Sequence, residues 1–306
     1  MLEVKNANMN MLRIWGGGIY EKDVFYNLCD SLGILVWQDF MFACAMYPGD
    51  SAFLSNVKKE ITYQVKRLRN HPSIALWCGN NEIDEAWHNW GWQSQYHYNT
   101  TEQKEIWSWY ENVFHHLIPE VLSQTDTSRN YWPSSPSIGW GHKESLTSGD
   151  VHYWGVWWGN QSFEYYNQKV GRFMSEYGFQ GMPSYRSFKN FTPLPELRYN
   201  SPTLKTHQKH PVGYETIFTY MQREYPVSDN LASSIYLSQL LQARGISIAM
   251  EAHRRNRPYC MGSLYWQMND CWPVTSWSAI DYYGNRKALY YASKKTFAPL
   301  ALSIVK

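Results

Sequence analysis

A (β/α)8 barrel is the fold class this sequence predicts, and three observations predict it. Short apolar runs alternate with helical stretches along the 306-residue chain, which argues for a parallel sheet with crossover helices. Seven such runs end in polar or glycine residues, as expected of strands whose C-terminal ends carry a barrel's chemistry. No Gly-x-Gly-x-x-Gly follows a first strand, so nothing recommends a doubly wound nucleotide-binding sheet instead.

The elements follow in order. Met11–Trp15 (MLRIW) is a strand ending in Gly16, Gly17 and Gly18. Glu21–Leu32 reads as a helix stopped by Gly33, a residue suited to a helix C-terminus. Ile34–Trp37 is the second strand and ends in Gln38 and Asp39. Ser51–Arg69 is an amphipathic helix that closes before His71-Pro72, because the residue before a proline is pushed out of the helical region. Ile74–Trp77 is the third strand and runs into Asn80, Asn81 and Glu82; Glu102–Leu122 is the helix after it. Tyr131-Trp132, Val151–Trp154, Arg172–Ser175 and Ser263–Trp266 complete the seven, the last ending in Gln267, Asn269 and Asp270. Between the last two lie a proline-punctuated stretch, 180–227, expected to be irregular, and a long helix, Asp229–Arg257. Residues 1–10 read as the tail of a helix. The last ten residues, FAPLALSIVK, read as the start of another strand and of a following β-domain. The expectation is one catalytic barrel domain over residues 1–306 that lacks its first strand, and so carries exposed sheet edges.

Composition bounds the function. The net charge of +2 argues against nucleic acid or an anionic membrane as partner. No apolar run of membrane-spanning length occurs. Arg254, Arg255 and Arg257 read as a solvated helix end. The five cysteines are scattered singly, without metal-ligand spacing, and are expected to be mostly buried free thiols. The start shows no charged segment followed by an apolar one, so no signal peptide is read there. Sequons at Asn99, Asn160 and Asn190 support a secretory route only weakly. Aromatic residues make up 17% of the chain, with 16 Trp and 24 Tyr. That fits either a large aromatic core or a cleft that stacks the flat faces of sugar rings.

Two carboxylates stand at strand ends. Glu82 follows the third strand and Glu176 ends the sixth. A facing pair of this kind is what glycoside hydrolysis needs. The alternatives are a helix cap for Glu82 and an ion pair with an arginine for Glu176. Asn81, beside Glu82, offers an amide to a sugar hydroxyl. Trp15, Trp90, Tyr153 and Trp266 lie at or after strand ends, next to Asn80, Asn81, His152, Gln267 and Asn269. That polar company suits a site better than a core.

The segments LRIWGGGIYE, VWQDFMFACAMYP, HPSIALWCGNNE, FMSEYGFQ and GSLYWQMNDCWP together resemble the catalytic barrel of β-mannosidases of glycoside hydrolase family 2. The resemblance covers nearly the whole chain, with the motifs in family order. It implies a retaining, exo-acting enzyme that removes terminal β-mannose from oligosaccharides and glycoproteins by double displacement. Glu82 resembles the acid/base, Glu176 the nucleophile, and Asn81 the residue facing the 2-hydroxyl. Trp15, Trp90, Tyr153 and Trp266 resemble substrate contacts, and Asp39 and His152 their polar neighbours. The nearby Glu176 charge is expected to raise the Glu82 pKa, and Tyr177 or Tyr153 to hold Glu176. No metal or cofactor is implied. The resemblance also implies flanking β-sandwich domains in a longer form, a glycan as partner, and a lysosomal or secreted setting. The competing readings are an inactive or sugar-binding fragment and an endo-acting β-mannosidase.

Overall fold

The computed structural model describes residues 1–198, 201–227 and 230–304. It divides into two compact units, one formed by Met1–Lys5 with Met9–His152 and the other by Asn6–Asn8 with Tyr153–Lys306.

The first unit holds a four-stranded parallel sheet: β1 (Met11–Ile14), β2 (Leu35–Asp39), β3 (Ile74–Cys78) and β4 (Asn130–Trp132), hydrogen-bonded in that order. Register runs from Met11 opposite Leu35 to Ile14 opposite Gln38, and from Leu76 opposite Asn130 to Cys78 opposite Trp132. The sheet continues past the strands, because Asn81 bridges to Ala43 on one side and to Ser135 on the other. A fifth strand, β5 (Val151–His152), closes the unit's sequence.

The helices form where the pattern demands. Asp50 caps Ser51–Leu68 by accepting from the Ala52 and Phe53 N–H groups at 3.0 and 2.9 Å. That helix buries Val57, Ile61, Val65 and Leu68, one stripe at a spacing of three to four residues. Asp23–Leu32 ends at Gly33, whose φ of 68° is the left-handed closure that glycine adopts without strain. The single helix expected over Glu102–Leu122 runs without a break from Thr100 to Thr125, with a π-helical stretch inside it. Thr100–Glu111 is α-helical, Asn112–Leu117 is a π-helical stretch, and Ile118–Thr125 is α-helical again. Pro119 gives the reason, because it has no N–H to offer the preceding turn. Part of the tryptophan content is core, as Ala86, Trp87, Trp92 and Ile106 form one buried cluster with Trp107 and Trp109 packed against it.

The second unit contains β6 (Met174–Glu176) and the helix Leu231–Arg255. Asn230 caps that helix through the Ala232 and Ser233 N–H groups. Asp229, the expected first residue, lies outside the described residues. The helix packs on Ala288–Thr296, on Gly213–Glu224 and on a 3-10 turn at Phe163–Asn167. Gly245 makes the last contact possible, since a Cβ there would stand 2.2 Å from the Phe163 ring. Deeper in, the Tyr177 hydroxyl meets the Ser263 hydroxyl at 2.8 Å, and Ser263 meets His253 Nδ1 at 2.8 Å. His253 is buried, and among the described residues its Nε2 has no hydrogen-bond partner.

Several expectations need correction here. The stretch 180–227 is not irregular throughout, for Tyr185–Phe191, Pro202–Thr206 and Gly213–Glu224 are helices; residues 199 and 200 within it are not described. Ser184 and Ser201 cap the first two, and Pro202 takes the first helical position, where its missing N–H costs nothing. Ser263–Trp266 makes no regular strand, only a bridge from Ser263 to Met174. Cys29, Cys78 and Cys260 are buried thiols, but Cys44 and Cys271 are exposed. The arginine-rich helix end is tied down as well as solvated. Arg254 donates to the Ala298 carbonyl at 2.8 Å and Arg255 pairs with Glu251 at 3.7 Å.

Candidate active site

The end of β3 is built to present one side chain. Gly79 must be glycine, since a Cβ there would stand 2.2 Å from the Pro133 carbonyl. Asn80 is fully buried and takes the structural role. Its Oδ1 accepts from the Ile83 N–H at 3.0 Å and from Ser134 Oγ at 2.9 Å, and its Nδ2 donates to the Pro133 carbonyl at 2.9 Å. Asn80 therefore caps the helix Ile83–Asn89. Glu82 occupies the cap position of that helix, yet its side chain makes no capping bond. Its backbone is left-handed, with φ 59° and ψ 12°, a conformation that costs a non-glycine residue about 1–3 kcal/mol and gathers at functional sites. The cap alternative for Glu82 is thus removed, and its carboxylate is free for another task.

That carboxylate faces a buried cluster organised by Arg13, which projects from β1. Arg13 pairs with Asp39 through Nη2 at 2.9 Å and Nε at 3.3 Å, and both side chains are almost wholly buried. Asp39 also accepts from Trp37 Nε1 at 2.8 Å and from the Gly16 N–H at 2.9 Å, so its buried charge is satisfied, as it must be. Gly16 allows that approach, because a Cβ would lie 2.3 Å from the Phe42 carbonyl. Arg13 Nη2 also donates to Asn81 Oδ1 at 2.9 Å. Arginine can only donate, so this bond fixes the amide and turns Asn81 Nδ2 toward Cys44 Sγ, 3.4 Å away.

His152 completes the cluster. Its Nδ1 lies 2.8 Å from Glu82 Oε1, and its Nε2 lies 2.9 Å from Ser135 Oγ and 3.2 Å from Arg13 Nη1. Cys44, itself left-handed at φ 47°, brings its thiol to 3.6 Å from Glu82 Oε2. Burial is the strongest single influence on Glu82 and opposes its charge. The His152 hydrogen bond and charge, the Arg13 charge and the Cys44 thiol together outweigh it, and the Glu82 pKa is held below the usual glutamate value. This differs from the raised value expected from the sequence, because His152 was read as a neighbour of the sugar contacts and not as the partner of Glu82, and Arg13 was not read at all.

In the second unit, Glu176 is the last residue of β6 and is buried. The Tyr153 N–H donates to the Glu176 carbonyl at 2.7 Å, and the Trp266 N–H to the Tyr177 carbonyl at 2.8 Å. Two of the expected aromatics therefore flank the Glu176 strand. The Tyr153 hydroxyl donates to Gln161 and its buried ring sits edge-on to Tyr166. The Tyr177 hydroxyl is engaged with Ser263. The unit also has a cavity of about 350 Å³ walled by Trp158, His210, Trp272, Trp277 and Asp270.

Of the expected first-unit residues, Asp39, Asn81, Glu82 and His152 come together around Arg13. Trp15 is half-buried just after β1. Trp90 stands apart, 43% exposed at the far end of the Ile83–Asn89 helix and edge-on to Trp92. Sequence reasoning missed Arg13 and Ser135. For Arg13 a signal existed, a lone cation inside an apolar strand.

Similarity to known proteins agrees with this picture. No family model matches the chain. It is 38% identical to β-mannosidase B of Thermothelomyces thermophilus, over 99% of this chain and 37% of that protein. Against mouse (Mus musculus) β-mannosidase the identity is also 38%, over 97% of this chain and 36% of that protein. The crystal structure of a β-D-mannosidase from Dictyoglomus thermophilum superposes with a TM-score of 0.86 at 44% identity, covering 97% of this chain and 35% of that one. The chain is thus similar to β-mannosidases over nearly its whole length, and it spans just over a third of the length of these relatives.

Proposed function

We propose that the protein acts as a retaining, exo-acting β-mannosidase, with Glu82 as acid/base and Glu176 as nucleophile. The observation that carries this reading is Glu82, a carboxylate in a left-handed backbone at a strand end, excused from capping and bonded to His152. The similarity to β-mannosidases supports the substrate, a glycan ending in β-mannose. The (β/α)8 barrel and its role as a catalytic domain belong to the same reading, supported by the parallel strands of the first unit and the likeness to the Dictyoglomus enzyme. So does a lysosomal or secreted setting. Among the described residues no helix is long and apolar enough to cross a membrane.

In this reading the Glu176 carboxylate attacks the anomeric carbon. The bond to the leaving oxygen breaks and takes the Glu82 proton. Water then releases the sugar from Glu176 and returns a proton to Glu82. Such a pair needs its carboxyls about 5–5.5 Å apart. Asn81, its amide set by Arg13, serves the 2-hydroxyl, while Trp15, Trp90, Tyr153 and Trp266 contribute sugar contacts, with Asp39 and His152 behind them.

The test is hydrolysis of 4-nitrophenyl β-mannoside, β-galactoside and β-glucoside side by side. Preference for either of the last two would sink the substrate assignment. Glu176→Ala should abolish turnover, and azide should restore it with inverted configuration in the glycosyl azide. A retained product would contradict the nucleophile assignment.

A further inference from the structure

Asp150 is buried in the first unit, two residues before His152, and the reaction just described gives it no task. Its Oδ1 accepts from Trp132 Nε1 at 2.9 Å, and its Oδ2 lies 2.6 Å from Ser135 Oγ. Ser135 Oγ lies 2.9 Å from His152 Nε2, and His152 Nδ1 lies 2.8 Å from Glu82 Oε1. Each separation is that of a hydrogen bond. Ser135 is fully buried and His152 is 1% exposed, so bulk water does not compete along this path.

We infer that Asp150 and Ser135 are positioning residues for Glu82, acting through His152 as a hydrogen-bonded chain that sets which protonation state Glu82 adopts. The inference rests on Glu82 being the acid/base.

The chain has two complete arrangements. In one, Glu82 is a neutral acid donating to His152 Nδ1, His152 Nε2–H donates to Ser135, and the Ser135 hydroxyl donates to the Asp150 carboxylate. In the other, every proton has moved one bond along. Glu82 is then a carboxylate accepting from Nδ1–H, Nε2 accepts from Ser135, and Asp150 carries the proton. Three protons shift, no charge is lost, and the net change is one proton passed between two carboxyls. The groups around the chain set the balance. Arg13 Nη1, 3.2 Å from Nε2, can only donate, so it favours the arrangement with Nε2 unprotonated and Glu82 ionised. The Asp150 charge favours the arrangement with Glu82 protonated. Glu85 couples electrostatically to both Glu82 and His152, and Asp39 holds part of the Arg13 charge. Without Asp150, Arg13 and His152 would act on Glu82 unopposed along this path, and Glu82 would be a poorer acid.

The experiment compares the parent protein with Asp150→Asn and Ser135→Ala on aryl β-mannosides of graded leaving-group acidity. General acid catalysis is worth about 10²–10⁴-fold and matters least for an activated leaving group. Asp150→Asn should therefore lower kcat/KM at least about tenfold on phenyl β-mannoside and leave 2,4-dinitrophenyl β-mannoside nearly unchanged. Ser135→Ala should show the same pattern, and Ser135→Thr should restore the parent profile. An equal loss on every substrate, or none, would overturn the inference. A parent protein inert toward all β-mannosides would instead refute the proposed function. The chain itself then remains testable through the ¹⁵N signals of His152, which Asp150→Asn should shift between ring nitrogens. Unchanged signals would overturn it. If Asp150→Asn does not fold, the two Ser135 variants decide the matter.

Discussion

His253 makes the protein sensitive to acid, and the size of the effect can be worked out. The ring is buried in the second unit, its Nδ1 engaged with Ser263 and its Nε2 without a partner among the described residues. Burial, aided by the Arg255 charge, lowers its pKa from 6.5 to about 3. Protons therefore bind the unfolded chain in preference to the folded one. The stability held above pH 6.5 is lost as pH falls toward 3, where the loss levels off. At 1.36 kcal/mol per unit of pKa, the loss from this residue is about 2 kcal/mol at pH 5 and about 3 kcal/mol at pH 4. His253→Gln keeps an acceptor for Ser263 and does not titrate. Urea denaturation of parent and variant, followed by tryptophan fluorescence from pH 7.5 to pH 4, measures the difference. The variant should gain about 2 kcal/mol on the parent between pH 7.5 and pH 5. Parallel pH curves would refute the reasoning, as would a His253 signal titrating near 6.5 in the folded protein.

Two further predictions concern packing. Arg13→Met strands Asp39 as a buried unpaired charge and should cost about 3–5 kcal/mol. Adding Asp39→Leu should recover part of that loss, and strictly additive losses in denaturation would argue against the pairing. Gly245→Ala gains about 1 kcal/mol of helix propensity but overpacks Phe163, at a cost of about 1–3 kcal/mol. A lower melting temperature is expected, relieved by Phe163→Leu, and a stabilised single variant would show that the contact yields freely.

The fold was legible where local chemistry and tertiary structure agree. β1 to β3 are short apolar runs with polar ends, and Ser51–Leu68 carries a clear buried stripe with an aspartate cap. Glu82 and Asn81 stood out because they interrupt such a run at its end. The prolines of 180–227 misled, because they hid helices that begin at a proline or a serine cap. The π-helical stretch before Pro119 was not read inside the helical pattern of Glu102–Leu122. Ser135 and Asp150 were not legible because their significance lies in burial and in partners distant along the chain. The arginine in MLRI was a signal, a lone cation in an apolar strand, but it did not tell that Asp39, Asn81 and His152 are the partners it gathers. The direction of the Glu82 shift was misjudged for the same reason.

The left-handed turn at Glu82 has a consequence for any effort to improve this protein. Glycine would relieve that turn and at the same stroke delete the carboxylate. Cys44, left-handed on the neighbouring loop, poses the same choice one contact away. Laboratory selection for heat resistance alone would thus reward variants that discard the proposed chemistry, so every round would need a screen for turnover beside it.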